Sequence, residues 1–235
     1  MTVLAIGCHP DDLEIGCGGT LALYVKQGHT VVMCHIANGD MGHKIINSHE
    51  LKDIRAKEAE NAANIIGAKE VISLDVSDLT VDSYNQEIVK KLVDVIRYTK
   101  PDVIITHSTE DYMKDHLEVS KLVFDASFSS SIPNYKTENE AYENIVPIYY
   151  MDTLAGVNFL PTEYVDISDT IDIKLQSIDS HQSQIKWFKD HDGIDFLEFV
   201  STVSKFRGLQ CGVRFAEGFR LCNTWPRVVA KRLLP

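Results

Sequence analysis

A histidine and three carboxylates lie within six positions of one another in the stretch GCHPDDLEIGCGG, residues 7–19, directly after the first apolar run of the chain. Imidazole and carboxylate groups are common ligands of zinc and related divalent metals. The adjacent Asp11 and Asp12 repel each other unless a cation or solvent offsets their charge. Two interpretations follow: a metal site, or a proline turn whose aspartates cap the next helix.

A second group of polar residues favours the metal site. The stretch THSTEDYMKDH, residues 106–116, follows another apolar run and adds five residues suited to metal or acid–base chemistry. A catalytic zinc usually has three protein ligands and one open position for water, whose pKa the metal lowers towards ~7. His9, Asp12 and one histidine of the second stretch satisfy that count. Asp11 would then be free to accept a proton from the water.

These two stretches must be brought together by the elements that precede them. Apolar runs alternate with helical patterns in the first half of the chain, which predicts a Rossmann-like α/β fold with a mostly parallel sheet and helices on both faces. If the strand order is 3-2-1-4, strands one and four are neighbours and both stretches leave the same edge of the sheet. The predicted strands are TVLAIGC, TVVMCHIA, EVISLDV and DVIITH, and the predicted helices cover 13–27, a segment opened by a capping box at Asn47 and Glu50, and one opened by Ser83 and Gln86.

The second half of the chain is less regular. Residues 127–147 show no periodicity and are predicted to form a long surface excursion, either a lid or an oligomer contact. IYYMDT and YVDIS are predicted to be short strands, residues 169–206 mainly helical, and the tail from Gly208 resists assignment. We therefore expect a single domain, 1–235, with a decorated C-terminal half.

Composition limits the partners. The formal net charge is −11, which argues against nucleic acid or an anionic membrane as the main partner. No apolar stretch approaches the ~20 residues of a membrane span, and no basic flank typical of a signal peptide precedes the first strand. The five cysteines are scattered without a CxxC pair, which favours a reducing compartment, and we expect a cytoplasmic protein that acts on a small molecule and is free to form a homo-oligomer.

The stretch AIGCHPDDLEIGCGGTLA resembles the HPDDxE signature of the PIG-L/LmbE-like N-deacetylases. RAKEAENAANIIGA, the DH after strand four and AEGF near the end of the chain are similar to further, weaker motifs of that family. The resemblance implies a Rossmann-like, zinc-dependent hydrolase that removes acetyl groups from N-acetylglucosaminyl compounds, as do relatives in mycothiol and bacillithiol biosynthesis.

The resemblance also implies roles for individual residues. His9, Asp12 and His116 would hold one Zn²⁺ or another divalent metal, with Asp11 as the general base and Glu14 supporting the site from behind. Arg55 and Asp78 match positions that hold the sugar in relatives. Two alternatives remain open from the residues themselves: Arg55 could pair with Glu58 one helical turn away, and Asp78 could be a turn residue.

One position departs from the family pattern. The family usually has H-P-D-H after strand four, whereas this chain has Met113 in place of the first histidine. Methionine can neither donate a proton nor polarise a carbonyl by hydrogen bonding. Tyr112, His107, His43 or another donor would have to replace it, or Asp11 would act as both base and acid, or the chemistry would be weaker or different.

The sequence therefore favours a metal-dependent amidohydrolase that removes an N-acetyl group from an amino-sugar-containing small molecule. Two other hypotheses remain: a related metallohydrolase that cleaves an ester or a non-sugar amide, and a catalytically silent relative that binds metal and sugar. His35 is expected to be structural, and site roles for His181 and His191 are the less favoured interpretation. Trp187 and Trp225 are expected to be core or interface anchors rather than sugar platforms.

Overall fold

Seven strands form one sheet in the computed structural model, which describes residues 1–235. The spatial order is β3-β2-β1-β4-β5-β7-β6. The first five strands pair in parallel, and β7 pairs antiparallel with both β5 and β6. The strands are β1 (Thr2–Gly7), β2 (Thr30–Ala37), β3 (Glu70–Val76), β4 (Val103–Thr106), β5 (Ile148–Met151), β6 (Glu163–Asp166) and β7 (Ala216–Leu221).

Helices cover both faces of this sheet. They are α1 (Asp12–Lys26), α2 (Ser48–Ile66), α3 (Gln86–Thr99), α4 (Lys114–Ser129), α5 (Ile171–Asp179), α6 (Gln182–Trp187) and α7 (Phe196–Cys211), with a π-helical turn at Phe188–Asp192 after α6. Two hydrophobic clusters, of 25 and 21 buried residues, contain alternate residues of β1 and β4. Burial on both faces explains why these strands are continuously apolar. The predicted mostly parallel α/β sheet is confirmed.

The predicted order of the first four strands is also confirmed. β1 lies between β2 and β4, with Ile6 opposite Thr106 and Gly7 opposite His35. Because the strands are parallel, the segments that leave β1 and β4 emerge at the same edge of the sheet. The two polar stretches of the sequence therefore meet there.

The helix starts agree with the sequence in one case and differ in another. The side chain of Asn47 accepts a hydrogen bond from the Glu50 backbone N–H, as predicted for the start of α2. The predicted cap of α3 at Ser83 is wrong: Asn85 caps that helix instead. The Ser83 hydroxyl donates to Glu118 on α4, so a tertiary contact replaces the local one.

The second half contains the predicted short strands β5 and β6, and its tail supplies β7 between them. The excursion after α4 has no further helix or strand before β5. It is held against α3, because the Arg97 guanidinium donates to the carbonyl oxygens of Ser130, Ile132 and Asn139. These hydrogen bonds hold the excursion in place and therefore argue against the prediction that it is a lid. No helix combines the length and apolar character needed to cross a bilayer.

Candidate active site

A cavity of about 200 Å³ lies where the two polar stretches meet, beyond the carboxyl ends of β1 and β4. Five aspartates line it, whereas Arg55 is the one arginine and no lysine is present. An excess of buried carboxylates is stable only where cations or hydrogen-bond donors compensate it. The cavity lining contains every residue that the sequence predicts as a metal ligand, general base or sugar contact: His9, Asp11, Asp12, Arg55, Asp78 and His116.

Asp12 lies between the two histidines of the predicted ligand set. Its Oδ2 is 3.4 Å from Nδ1 of His9, and its Oδ1 is 3.4 Å from Nε2 of His116. Nε2 of His116 is buried and has no hydrogen-bond partner. A buried nitrogen without a partner is costly unless a ligand occupies it. This arrangement fits a cation held by the three side chains.

A carboxylate oxygen lies close to one ring nitrogen of each of these histidines. Oδ2 of Asp111 is 3.0 Å from Nδ1 of His116, and Oδ2 of Asp115 is 3.4 Å from Nε2 of His9. Metal-binding histidines usually donate their second ring nitrogen to such a group, which fixes the ring and raises its basicity. The pairing leaves Nδ1 of His9 and Nε2 of His116 available for a ligand.

Charge supports the same arrangement. Burial would lower the pKa of His116, but the carboxylates of Asp12 and Asp111 outweigh it and raise the pKa to about 9. Burial would likewise raise the pKa of Asp12, but His116 and His107 outweigh it and hold that pKa well below its usual range. Asp12 is therefore ionised, as a metal ligand must be.

Donor atoms that lie within 4.8 Å of one another form two groups, Cys8–His9–Asp12 and Asp12–His107–His116, which share Asp12. His9 and His116 do not fall in one group, and their ring centroids are 5.5 Å apart. Cys8 and His107 are the alternative members of these groups. Burial raises the pKa of the Cys8 thiol to about 12. Nε2 of His107 accepts the Cys8 backbone N–H at 2.9 Å, which occupies the lone pair that a metal would need.

Asp11 has different neighbours from Asp12. Its backbone is left-handed, with φ 117° and ψ −27°, a strained conformation for a residue with a side chain. Its Oδ1 is 3.2 Å from Nη2 of Arg55. Burial raises the pKa of Asp11 to about 6, against the opposing charge of Arg55. A buried carboxyl with a pKa near neutrality, beside the ligand cluster but paired elsewhere, is suited to exchange protons.

Arg55 and Asp78 lie in the cavity lining, but the protein itself occupies much of their hydrogen-bonding capacity. Arg55 also donates to the carbonyl oxygens of Pro10 and Gly39, so it connects α2 to the turn that carries Asp11. Asp78 accepts the backbone N–H groups of Gly39 and Met41 at 2.9 and 3.1 Å. Sugar binding by these two residues remains a prediction.

The alternative partner predicted for Arg55 has another role. Glu58 accepts from the backbone N–H and the hydroxyl of Ser183, at 2.8 and 2.6 Å. The helix-pair interpretation of Arg55 and Glu58 is therefore wrong. Glu14 is fully buried and does not contact the ligand cluster directly; its Oε1 is 3.3 Å from Nε2 of His181.

One wall of the cavity comes from parts of the chain that sequence reasoning missed. Gln184, Trp187 and Phe188 of the α6 segment line it, together with Met151 at the end of β5 and Asp152 and Leu154 after it. Trp187 lines the cavity and is only partly buried, so it is not a core anchor; an interface role for it stays a prediction. Its ring stacks on His191 with centroids 4.4 Å apart. The sequence predicts residues 169–206 to be mainly helical, but that pattern does not indicate which of their side chains face the cavity.

The structure distinguishes between the residues that could supply a hydrogen-bond donor in place of Met113. Met113 precedes α4 and lines the cavity. The Tyr112 hydroxyl donates to the Leu154 carbonyl, and Nδ1 of His43 accepts the N–H groups of Ile45 and Ile46. Neither residue belongs to the cavity lining, whereas His107 does.

Comparison with known proteins shows what this chain is similar to. The family model described as GlcNAc-PI de-N-acetylase (PIG-L) matches residues 4–127. A diacetylchitobiose deacetylase from Thermococcus kodakarensis is 30% identical over 228 residues, which cover 93% of this chain and 82% of the relative.

Solved structures agree. The N,N′-diacetylchitobiose deacetylase from Pyrococcus horikoshii superimposes with a TM-score of 0.81 at 29% identity, covering 94% of this chain and 83% of that one. A 4-carboxy-2-hydroxymuconate hydratase from Pseudomonas putida has a TM-score of 0.83 at 24% identity, with 98% and 99% of the two chains covered. The second likeness supports the fold alone.

Proposed function

Because the chain belongs to the PIG-L family of GlcNAc-PI de-N-acetylases, we propose that it hydrolyses the N-acetyl group of an amino-sugar-containing small molecule. The observation that best supports the proposal is that Asp11 and Asp12, although adjacent in the chain, have different neighbours. One aspartate joins the two histidines, and its neighbour lies buried beside them with an arginine. Amide hydrolysis requires both parts, a site that activates water and a group that moves protons.

We propose that His9, Asp12 and His116 hold one Zn²⁺. The support is the unpartnered Nε2 of His116, the carboxylates behind both rings and the excess of aspartates in the cavity. When bound, a zinc ion supplies a Lewis acid and lowers the pKa of a coordinated water. Asp111 and Asp115 fix the two imidazole rings for that purpose.

Asp11 moves the proton. Its carboxylate accepts a proton from the attacking water as the water oxygen bonds to the acetamide carbon. It then gives that proton to the sugar nitrogen as the carbon–nitrogen bond breaks, which leaves acetate and an amine. Arg55 orients Asp11 through the contact at 3.2 Å and favours its ionised form before the reaction.

The cavity lining also fits the substrate class. Polar groups cover the side near β1 and β4, and apolar side chains of Ile15, Met151, Leu154, Trp187 and Phe188 contribute to the remainder. Sugar rings combine hydroxyl edges with apolar faces, so they suit such a mixed surface. We keep Arg55 and Asp78 as proposed sugar contacts. The cytoplasm remains our proposed location, supported by five cysteines that are all free.

The test is acetate release by the zinc-loaded protein from N,N′-diacetylchitobiose, from N-acetylglucosamine and from a simple acetyl ester. We expect the acetamido sugars to be hydrolysed, chelation to stop the reaction and zinc to restore it. Asp11→Asn is the matched negative control, because it preserves the shape of the side chain. Ester cleavage without amide cleavage would support the ester-hydrolase hypothesis instead. Sugar binding without acetate release would support a silent relative.

A further inference from the structure

Hydrolysis of an amide places negative charge on the carbonyl oxygen, and a fixed N–H donor at that oxygen stabilises the transition state. Most nitrogen donors in the cavity lining are already engaged. Arg55 donates to Pro10 and Gly39 and contacts Asp11, and the Gln184 amide donates to the Gly42 carbonyl. Met113 has no donor. Outside the proposed zinc ligands, three side-chain nitrogens of the lining remain without a hydrogen-bond partner in the protein: Nε of Arg55, which is fully enclosed, Nδ1 of His107 and the indole nitrogen of Trp187.

The contact with Cys8 determines the tautomer of His107. A backbone N–H can only donate, so Nε2 of His107, which accepts the Cys8 N–H at 2.9 Å, carries no proton. The ring proton is therefore on Nδ1. Nδ1 makes no hydrogen bond to the protein and, unlike Nε2 of His116, is not among the fully enclosed atoms without a partner.

The position of the ring places this donor next to the reacting centre. The His107 ring stacks on the His116 ring, with centroids 3.9 Å apart and an angle of 24° between the planes. Its Nε2 is 3.3 Å from Oδ2 of Asp12. His107 therefore contacts two of the three proposed zinc ligands. Trp187 is instead the last residue of α6.

We propose that the Nδ1–H of His107 donates a hydrogen bond to the acetamide carbonyl oxygen and stabilises its charge in the transition state. The proton stays on Nδ1 throughout, so this contact needs no proton transfer. The inference rests on the proposed deacetylation and assigns a catalytic role to a residue outside the proposed ligand and base set.

Two substitutions at position 107 separate this role from a structural one. His107→Gln extends far enough to keep an acceptor for the Cys8 N–H but has no donor at the Nδ1 position. His107→Asn places an amide N–H₂ near the Nδ1 position but does not reach the Cys8 N–H. If His107 only supports the backbone at Cys8, the His107→Gln variant retains activity and His107→Asn loses it. If His107 donates to the substrate, His107→Asn retains activity and His107→Gln loses it.

We expect His107→Gln to lower kcat about 10²–10³-fold, the usual effect of losing one such donor, with KM unchanged. His107→Asn should retain most of the wild-type kcat. His43→Gln is the control, because His43 lies outside the cavity lining. Activity of Gln equal to or above that of Asn would overturn the inference. So would zinc loss in both variants, since His107 would then be a ligand, or a kcat loss in Trp187→Phe of the size expected for His107→Gln.

A second measurement does not depend on activity or on the variants folding. ¹⁵N NMR of the ring nitrogens in the zinc-loaded wild type should show the proton of His107 on Nδ1. A proton on Nε2 would overturn the inference even if the enzyme is active. Absence of acetate release from every acetamido sugar would instead contradict the proposed function, and the ring-nitrogen spectrum would still determine whether His107 has the donor tautomer.

Discussion

Asp11 and Asp12 are adjacent in the chain, yet they have different chemical environments because the backbone turns sharply between them. Asp12 begins α1 and contacts both His9 and His116. Asp11, with its left-handed backbone, instead contacts Arg55. A simple capping turn would treat the two aspartates alike. At this position the protein accepts about 1–3 kcal/mol of backbone strain, a cost typical of functional sites.

The two asparagine variants should therefore fail in different ways. Asp12→Asn weakens zinc binding, and excess metal restores part of the activity. Asp11→Asn keeps zinc but loses roughly 10²–10⁴-fold in kcat, because asparagine cannot accept the proton. Zinc content by elemental analysis and kcat, each with and without added metal, measure the difference. Equal behaviour of the two variants, or near-normal turnover in Asp11→Asn, would contradict the division of roles.

Arg55 should control the pH at which Asp11 becomes a base. Burial raises the pKa of Asp11 to about 6, and the guanidinium limits that rise. Arg55→Gln removes the opposing charge, so the Asp11 pKa rises further and the acidic limb of kcat moves to higher pH. Arg55→Lys keeps a positive charge and should leave the limb closer to that of the wild type. An acidic limb at the same pH in both variants would show that the ion pair does not set it.

At the scale of elements, the AEGF motif has a structural explanation. Glu217 on β7 accepts the N–H groups of Gly19 and Thr20 on α1, at 2.9 and 2.8 Å. Its carboxylate also pairs with Nζ of Lys174 on α5 at 2.5 Å, and both side chains are almost fully buried. Lys174 donates in addition to the Ile15 carbonyl. One ion pair thus connects the last strand to the helix that begins at Asp12.

Breaking this pair should destabilise the whole arrangement. Glu217→Gln leaves the Lys174 ammonium buried without its counter-charge, which typically costs about 3–5 kcal/mol of unfolding free energy. Asp75→Asn is the control, since it removes a salt bridge to Lys52 that is exposed to solvent, and it should have a much smaller effect. Urea unfolding of both variants measures the two costs. Similar losses would mean that the buried pair contributes no more than a surface one.

The elements that could be predicted are those that the local sequence specifies. Asn47 and Glu50 form their cap from side chain and backbone alone, and the apolar runs of β1, β2 and β4 reflect burial on both faces. The predicted cap at Ser83 is wrong because the Ser83 hydroxyl donates to Glu118, thirty-five residues away. β7 could not be assigned from its own sequence, because it pairs antiparallel with two strands that lie far before it in the chain.

At the scale of the molecule, the distinction between local and long-range contacts explains which part of the cavity can be predicted from the sequence. The part of the cavity that contains His9, Asp12 and His116 follows two parallel strands, so the strand order and the HPDD motif predict that these residues meet there. The opposite wall depends on where α6 docks. The contacts that hold α6 there are buried polar pairs, His181 with Glu14 and Ser183 with Glu58. These pairs join residues more than a hundred positions apart, so no local pattern reports them.

Zinc and pH should have linked effects on the stability of the whole protein. In the absence of metal, the protonated His116 is the cation that compensates Asp12 and Asp111. The pKa of His116 is raised to about 9 from an ordinary value of 6.5. A group whose pKa is raised by folding contributes stability that is complete below its unfolded pKa and is lost as the pH rises through its folded pKa. The metal-free protein should therefore lose stability between about pH 6.5 and about pH 9.

Zinc binding should reverse this trend, because a metal ligand must be neutral imidazole and competition from protons weakens as the pH rises. We expect the Tm of the metal-free protein to fall across the window from pH 6.5 to 9, and the increase in Tm on adding zinc to grow across it. Thermal unfolding with chelator and with excess zinc, at half-unit pH steps, measures both effects. His116→Gln is the control: it has no raised pKa to lose, so its metal-free Tm should change less over this window and zinc should raise it little. A zinc-induced increase that shrinks with pH, or that persists in His116→Gln, would show that His116 is not the group through which metal and protons compete.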